Sequence, residues 1–352
     1  MQKSSRNSPK DSLVKKRFLD TLHGKIIFSI LCVLLVAAGG VLIAGDALLS
    51  KMNHVALSSS KNKVAYVDVT SESSEAVNIQ RNDAILGSSD VMNILLIGSD
   101  TRNTDTDGKY GNSDSMILLS VNKKTDKLKM ISFLRDLYVP IKGFKKESRI
   151  NASFLTGGPD LLIDTIETNF GIKIDQYVCI DFDGFEKAID SVGGVNINLT
   201  KAEADELTIN SGVYYCQVKG TPQHVTAGMN KLNGCTALGY ARIRHIDNDF
   251  NRTQRQRNVI NSFMSSMKNA NPFTLMNVAN TVFPLIKTDL TNDQILQLAV
   301  VRGPALMRGN AEQLTIPAEG AYHPWKTPEQ EQVLVPDLKK SRKIVQDFLY
   351  ND

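Results

Sequence analysis

The densest chemical signal in the chain is the run LGYARIRHIDNDFNRTQRQRNVI at 238–260, which holds Arg242, Arg244, Arg252, Arg255 and Arg257 within sixteen residues. Guanidinium groups gathered in this way grip phosphate through charge-assisted, bidentate hydrogen bonds. Arg252 and Arg255 are three apart and share a face of the helix that the apolar run beginning at Val259 continues. Arg242 and Arg244 are two apart, so they share a face only in extended chain, as where a helix begun near Asn233 unwinds. Arginines near a helix N-terminus oppose its dipole unless an anion sits there, which points to bound phosphate. Two other readings stay open: a solvated face neutralised by Asp247 and Asp249, and a surface patch that meets anionic lipid.

Carboxylates that could work with such a cluster lie upstream. MNILLIGSDTRN (92–103), DSMILLSVN (114–122) and KLKMISFLRD (127–136) read as three strands, the last two joined by the polar turn NKKTDK (122–127). If all three pair antiparallel, Asp100, Asp114, Arg135 and Asp136 emerge at one edge of the sheet. Hard divalent cations take oxygen ligands from one or two carboxylates together with phosphate oxygens, and Asp100 with Asp114 fits that demand. Both can equally be ordinary turn residues, since Asp is common after strands. The long polar loop DTRNTDTDGKYGNS (100–113) favours a working role.

The elements that must position these groups alternate between helix and strand. PDLLIDTIETNFGI (159–172) has helical spacing, DQYVCIDF (175–182) is a strand, FDGFEKAIDSVGG (182–194) a helix and VNINL (195–199) a strand. This is an α/β pattern of helices packed on a mixed sheet. Gly157-Gly158 and Gly193-Gly194 read as turns. The apolar positions around FTLMNVANTVFPLI (273–286) read as core, and Trp325 as packing against a C-terminal helix at 336–349 rather than as a platform for a sugar.

The chain has 352 residues, 42% of them hydrophobic and 22% charged, which excludes a disordered chain and a small cysteine scaffold. Its formal charge of +4 is unevenly placed. Residues 1–25 carry seven basic groups against two acidic ones, leaving the remainder at 34 against 35. The folded part therefore has no bulk positive charge, and with no helix-turn-helix or RNA-binding motif a nucleic-acid partner is not expected. Ile26–Gly45 is an uncharged run of twenty residues, long enough to span a bilayer and longer than the apolar stretch of a cleaved leader. The basic tail before it places the N-terminus in the cytoplasm and everything after Asp46 outside. The expected organisation is a cytoplasmic tail (1–25), a transmembrane signal-anchor (26–45), an extracytoplasmic linker (46–88) and a catalytic domain (89–352). Cys179 reads as a buried thiol, and Cys216 with Cys235 as either a disulfide or two free thiols.

GSDTRN (98–103), NSDSMILLSVN (112–122), ISFLRDLYVPI (131–141), RINASF (149–154) and ALGYARIRHIDNDFNRTQRQR (237–257) occur in the order and approximate spacing of the LytR-CpsA-Psr family, which this chain resembles over about residues 90–270 and on towards its C-terminus. The resemblance implies an α-β-α sandwich with a mixed central sheet, preceded by one N-terminal transmembrane helix. It also implies an extracytoplasmic phosphotransferase. Such an enzyme moves a glycopolymer, wall teichoic acid or a capsular or secondary wall polysaccharide, from a polyprenyl-pyrophosphate carrier to peptidoglycan. On this resemblance Asp100 and Asp114 hold Mg²⁺ (or Mn²⁺), and Arg135, Arg242 and Arg244 bind the pyrophosphate. Arg252 and Arg255 match the downstream arginine pattern and on this resemblance also bind the pyrophosphate, Arg102 matches the arginine of the first motif, and Asn151 lies in the fourth. Asp100, Arg102 and Arg135 are then the catalytic candidates, with Asp100 a candidate base. A polyprenyl-pyrophosphate hydrolase on the same site and a non-catalytic cell-wall regulatory or attenuator protein are the alternatives.

Overall fold

The three expected strands are adjacent and antiparallel, and four more complete a mixed sheet. In chain order its strands are β1 (Asn53–His54), β2 (Val91–Ser99), β3 (Ser113–Asn122), β4 (Leu128–Phe133), β5 (Gln176–Asp181), β6 (Lys287–Thr288) and β7 (Glu312–Ile316). They lie side by side in the order β1-β6-β5-β2-β3-β4-β7. The computed structural model describes residues 49–57, 66–69, 84–100, 110–209, 223–298 and 311–351. The chain divides into two units, residues 1–50 and 51–352, and the sheet with its helices belongs to the second. Ile26–Gly45, Arg102 and Cys216 lie outside the described residues. Among the described residues no helix is long and apolar enough to cross a membrane.

Among the described residues seven helices of nine residues or more accompany the sheet: α1 (Asn151–Phe170), α2 (Phe182–Ser191), α3 (Lys201–Ile209), α4 (Gly234–Arg242), α5 (Asp249–Lys268), α6 (Pro272–Val282) and α7 (Leu338–Tyr350). Period-two alternation sends Leu95, Ile97, Met116, Leu118, Ile131 and Phe133 to one face of the sheet, where they pack on Phe154, Leu162, Ile166 and Phe170 of α1 and Val345 and Leu349 of α7. The opposite face carries Ser132 and Thr315, to both of which Arg257 of α5 donates from Nη1 at 2.9 and 2.8 Å. Helices on both faces make the layers α-β-α, and double coverage explains why every residue of β4 is buried. A second core gathers Val195, Ile197 and Leu199 with Tyr240, Ile243 and Val259 beneath the two-stranded ladder Val195–Leu199/Gly228–Leu232, which is separate from the main sheet.

Several expectations are corrected. The folded unit starts ahead of residue 89, because Asn53–His54 pairs in parallel with Lys287–Thr288 at the edge of the sheet and Val67–Asp68 pairs with Leu86–Gly87. α1 begins at Asn151 rather than Pro159; Gly157 and Gly158 interrupt it as a kink, with Gly158 at φ +60° and the Tyr110 ring against it. Pro159 restarts the helix where its missing N–H is harmless. Trp325 sits on a short strand, 42% exposed, and meets the Tyr138 ring edge-on at 5.4 Å rather than the C-terminal helix. Cys179 is buried and free, as expected, its thiol pushed up to about 12 by burial, and of the two readings left open for Cys235 the disulfide-bonded one holds.

α4 carries Arg242 and leads to Arg244, so its seat matters to the site. Its first residue, Gly234, comes so close to α2 that an added Cβ would lie 2.1 Å from the Glu186 carbonyl oxygen. Gly234→Ala therefore forces two backbones apart. It should destabilise the protein by about 2–3 kcal/mol in denaturant unfolding.

Candidate active site

The pairing of β2 with β3 breaks at its active end. Gly98 lies opposite Ser115 and Ser99 opposite Ser113, so Asp114 is the extra residue of a β-bulge. A bulge re-aims a side chain and leaves its backbone groups without a ladder partner. At Asp114 the carbonyl oxygen accepts instead from α5, from Arg252 Nη2 at 3.2 Å and Gln256 Nε2 at 3.5 Å. The carboxylate accepts from Arg135 Nη1 at 2.9 Å and Arg244 Nη2 at 3.3 Å, and Arg252 Nη1 lies 3.9 Å away. Three guanidiniums, one from beyond β4 and two from the α4–α5 region, thus meet one carboxylate.

A second ring of charge surrounds this point. Asp249, in the first turn of α5, takes Arg252 Nη2 at 3.0 Å and lies 3.6 Å from Arg135 Nε. Asp136 lies 3.6 Å from Arg135 Nε and 3.8 Å from Arg149, whose other contact is Glu331 at 2.8 Å. Burial pushes the Asp136 carboxyl up, with Asp249 adding to the shift while Arg135, Arg252 and Arg149 oppose it. Burial also pulls the Arg252 guanidinium below its ordinary value, and Arg135 adds to that, against the opposing pull of Asp249, Asp114 and Asp136. Arg252 is almost wholly buried, whereas Arg244 is about half exposed and faces outward. The anion that the dipole of α5 demands is Asp249 itself, so the helix-terminus argument for bound phosphate does not hold.

Asp100 stands just beyond β2, where its N–H donates to the Asn112 carbonyl at 3.0 Å and its Oδ1 accepts the Asn112 N–H at 2.5 Å. Among the described contacts no arginine reaches it. Arg242, the last residue of α4, lies over the Phe182 ring at 4.6 Å. Phe182 follows Asp181, which pairs with Ser99, so Arg242 is placed at the same end of the sheet as Asp100.

Arg255 departs from the expectation. It is buried, with Nη1 and Nη2 each donating to Asp247 at 2.7 Å, a further bond to the Ile243 carbonyl and Glu203 at 3.5 Å. Burial works against its charge, but Asp247 and Glu203 outweigh it and raise the group. Arg255 fixes the segment between α4 and α5 instead of facing Asp114, and Arg257 braces α5 on the sheet. Arg102 lies outside the described residues. The partners that sequence reasoning missed are Asp249 as a site residue, Arg149 and Gln256. The i,i+3 spacing of Asp249 and Arg252 and the i,i+4 spacing of Arg252 and Gln256 were the signals that could have found two of them.

Among the described residues no group of three or more His, Cys, Asp and Glu can hold a metal ion. Asp100, just beyond β2, and Asp114, in the bulge of β3, are oxygen donors of the hard type that divalent ions take together with phosphate oxygens and water. A cleft of about 780 Å³ between α5 and the Val195–Leu199 ladder is lined by uncharged amides and hydroxyls such as Asn196, Asn198, Asn261 and Ser265 and includes none of the site's arginines or carboxylates.

Comparison with known proteins identifies the family and the fold. The LytR_cpsA_psr family model matches residues 51–341. A regulatory protein, MsrR, of Staphylococcus aureus (strain COL) is 31% identical over 267 residues, covering 74% of this chain and 75% of that one. A polyisoprenyl-teichoic acid–peptidoglycan teichoic acid transferase, TagU, of Oceanobacillus iheyensis is 35% identical over 221 residues, covering 59% of this chain and 62% of that protein. The crystal structure of TagV from B. subtilis superposes with a TM-score of 0.58 at 27% identity, covering 75% of this chain and 98% of that one. A structure of TagT bound to LI-WTA gives a TM-score of 0.61 at 22% identity over 84% of this chain and 99% of that one, a likeness of fold.

The two classes of arginine should separate in stability measurements. Arg255→Ala leaves Asp247 and Glu203 without their cation and should cost about 3 kcal/mol in denaturant unfolding. Arg244→Ala, at a half-exposed pair, should change stability by less than about 1 kcal/mol.

Proposed function

Because this chain belongs to the LytR-CpsA-Psr family, we propose that it is a membrane-anchored phosphotransferase that moves a cell-wall glycopolymer from a polyprenyl-pyrophosphate carrier to peptidoglycan. The observation that carries the reading is the meeting of Arg135, Arg244 and Arg252 on Asp114 at one end of the sheet. Guanidiniums already gathered around a carboxylate present donors that pyrophosphate oxygens can take over with little reorganisation. In this reading Ile26–Gly45 anchors the protein with its N-terminus in the cytoplasm, and the folded unit works outside the cell.

The chemistry follows from charge. Arg135, Arg244 and Arg252 are balanced by Asp114, Asp136 and Asp249, so the cluster is close to neutral before substrate binds. An incoming pyrophosphate adds negative charge, and more develops as the bridging bond breaks. Mg²⁺ or Mn²⁺ held by Asp100 and Asp114 would supply the balancing positive charge, and Arg242 adds to it. The acceptor sugar's hydroxyl oxygen bonds to the phosphorus next to the glycan. The bond from that phosphorus to the bridging oxygen breaks, and polyprenyl monophosphate leaves with the electron pair. Asp100, which no described arginine contact engages, is the carboxylate proposed to take the hydroxyl proton. Arg135 and Arg252 hold the phosphates, while half-exposed Arg244 faces the side from which substrate enters. Arg255 positions this segment and does not touch substrate.

A regulatory protein without chemistry is the second reading, favoured by the name that the Staphylococcus aureus relative carries. One assay separates the readings: polyprenyl-pyrophosphate-linked glycan, Mg²⁺ and detergent-solubilised protein, followed for polyprenyl monophosphate with and without peptidoglycan fragments. Release that requires the acceptor and yields a phosphodiester-linked product is the expected result. Release without acceptor would make the protein a hydrolase, and no release would leave the regulatory reading. Arg244→Ala should lower transfer by about 100-fold or more while the fold persists. Chelation of divalent ions should abolish transfer, and added Mg²⁺ should restore it.

A further inference from the structure

Trp325, the chain's only tryptophan, is 42% exposed, although an indole is among the side chains that gain most from burial. A single exposed apolar residue is ordinary, but this one has an aromatic partner and a particular place in the fold. It stands on the strand Tyr322–Lys326, which forms an antiparallel hairpin with Gln332–Pro336. The Tyr138 ring meets it edge-on at 5.4 Å. Among the described contacts neither the indole N–H nor the Tyr138 hydroxyl has a hydrogen-bond partner. Two adjoining rings thus offer an apolar surface together with open polar groups.

The pair adjoins the arginine cluster. Tyr138 is three residues beyond Arg135, so their Cα atoms are at most about 11 Å apart. It lies directly opposite Arg149 in the ladder Tyr138–Val139/Ser148–Arg149, which puts both side chains on one face. Arg149 in turn reaches Asp136 at 3.8 Å and Glu331, in the connection of the hairpin, at 2.8 Å. The hairpin is fastened to the site at two further points. The Leu334 N–H donates to the Asp136 carbonyl at 2.9 Å, and the Tyr322 ring packs at 5.8 Å on Phe250, the neighbour of Asp249. The two rings are therefore held by the segments that carry Arg135, Asp136 and Asp249.

Charge narrows the occupant. Burial and then the carboxylates of Glu147, Glu329 and Glu331 push the Tyr138 hydroxyl up. Arg149, the cation beside it, is already engaged by Asp136 and Glu331, and Lys326 alternates to the other face of its strand from Trp325. Such a surface repels a phosphate-rich polymer. A sugar ring without phosphate suits it: the apolar face of the ring lies on the indole, and hydroxyl and N-acetyl groups take the open N–H and O–H. We propose that Trp325 and Tyr138 bind an N-acetylated sugar ring of the peptidoglycan acceptor and so present a hydroxyl of the same glycan to the Asp114 cluster. The proposal rests on the transferase reading above and adds the place where the acceptor binds.

Because Trp325 is the only tryptophan, its fluorescence reports on this site alone. The full chain in detergent, titrated with a soluble peptidoglycan tetrasaccharide, should show a saturable change in emission. In the transfer assay Trp325→Ala should raise the KM for the tetrasaccharide about tenfold and leave the KM for the polyprenyl-pyrophosphate-linked glycan unchanged. Trp325→Phe, which keeps a ring, should stay within about threefold of the parent protein. An unchanged acceptor KM in Trp325→Ala would overturn the proposal while the transferase reading stands. An emission change with the polyprenyl-linked glycan and none with the tetrasaccharide would give the rings to the donor and overturn it as well. Saturable emission with the tetrasaccharide, in a protein that releases no polyprenyl monophosphate, would support the sugar site and overturn the transferase reading.

Discussion

The carboxylate of Asp114 sits where strand pairing is interrupted, and arginines from the end of β4, from the α4–α5 connection and from α5 meet on it. Guanidiniums brought to one point repel each other unless an anion lies between them. The bulge supplies that anion and, through its freed carbonyl, also ties α5 to the sheet by Arg252 and Gln256. Gly98 belongs to the same device, since a Cβ there would lie 3.1 Å from Ser115 Cβ in the facing strand. One local irregularity thus sets the direction of a carboxylate, the seat of a helix and the spacing of the arginines around it.

Along α5 the arginines divide by the partner each finds. Arg252 and Arg255 are only about 60° apart around the helix axis. Arg252 turns to Asp114 and Asp249, while Arg255 closes on Asp247 and Glu203 and holds the path of the chain between α4 and α5. Arg257 on the far side reaches Ser132 and Thr315. One helix therefore carries both the arginine that meets Asp114 and the arginines that brace it, so the Asp114 cluster inherits the rigidity of the buried contacts. A site built on a helix braced in this way keeps its geometry better than one built on a free loop.

Much of this was legible in the sequence. The apolar runs of β2, β3 and β4 and the polar turn between the last two define three antiparallel strands, and from that alone Asp114 and Arg135 must share an edge. The five arginines mark the other half of the site. What could not be read was the bulge, because nothing in NSDSMILL distinguishes an unpaired Asp114 from one in register. The division between Arg252 and Arg255 was equally hidden, since both share a helical face and the fold decides that Arg255 closes on Asp247 and on Glu203, fifty-two residues away. The segment 273–286 misled for a different reason: apolar composition looks the same whether water or core lies against it, and in the structure Val278 and Val282 are buried against Ala188 of α2 while Phe273 is 87% exposed.

The most direct test of the central claim is a crystal structure of the protein with a polyprenyl-pyrophosphate-linked glycan. The account predicts pyrophosphate oxygens within hydrogen-bond distance of Arg135, Arg244 and Arg252, with the Arg244–Asp114 contact opened and Arg255 still closed on Asp247. A pyrophosphate bound elsewhere, with the three arginines still on Asp114, would contradict it.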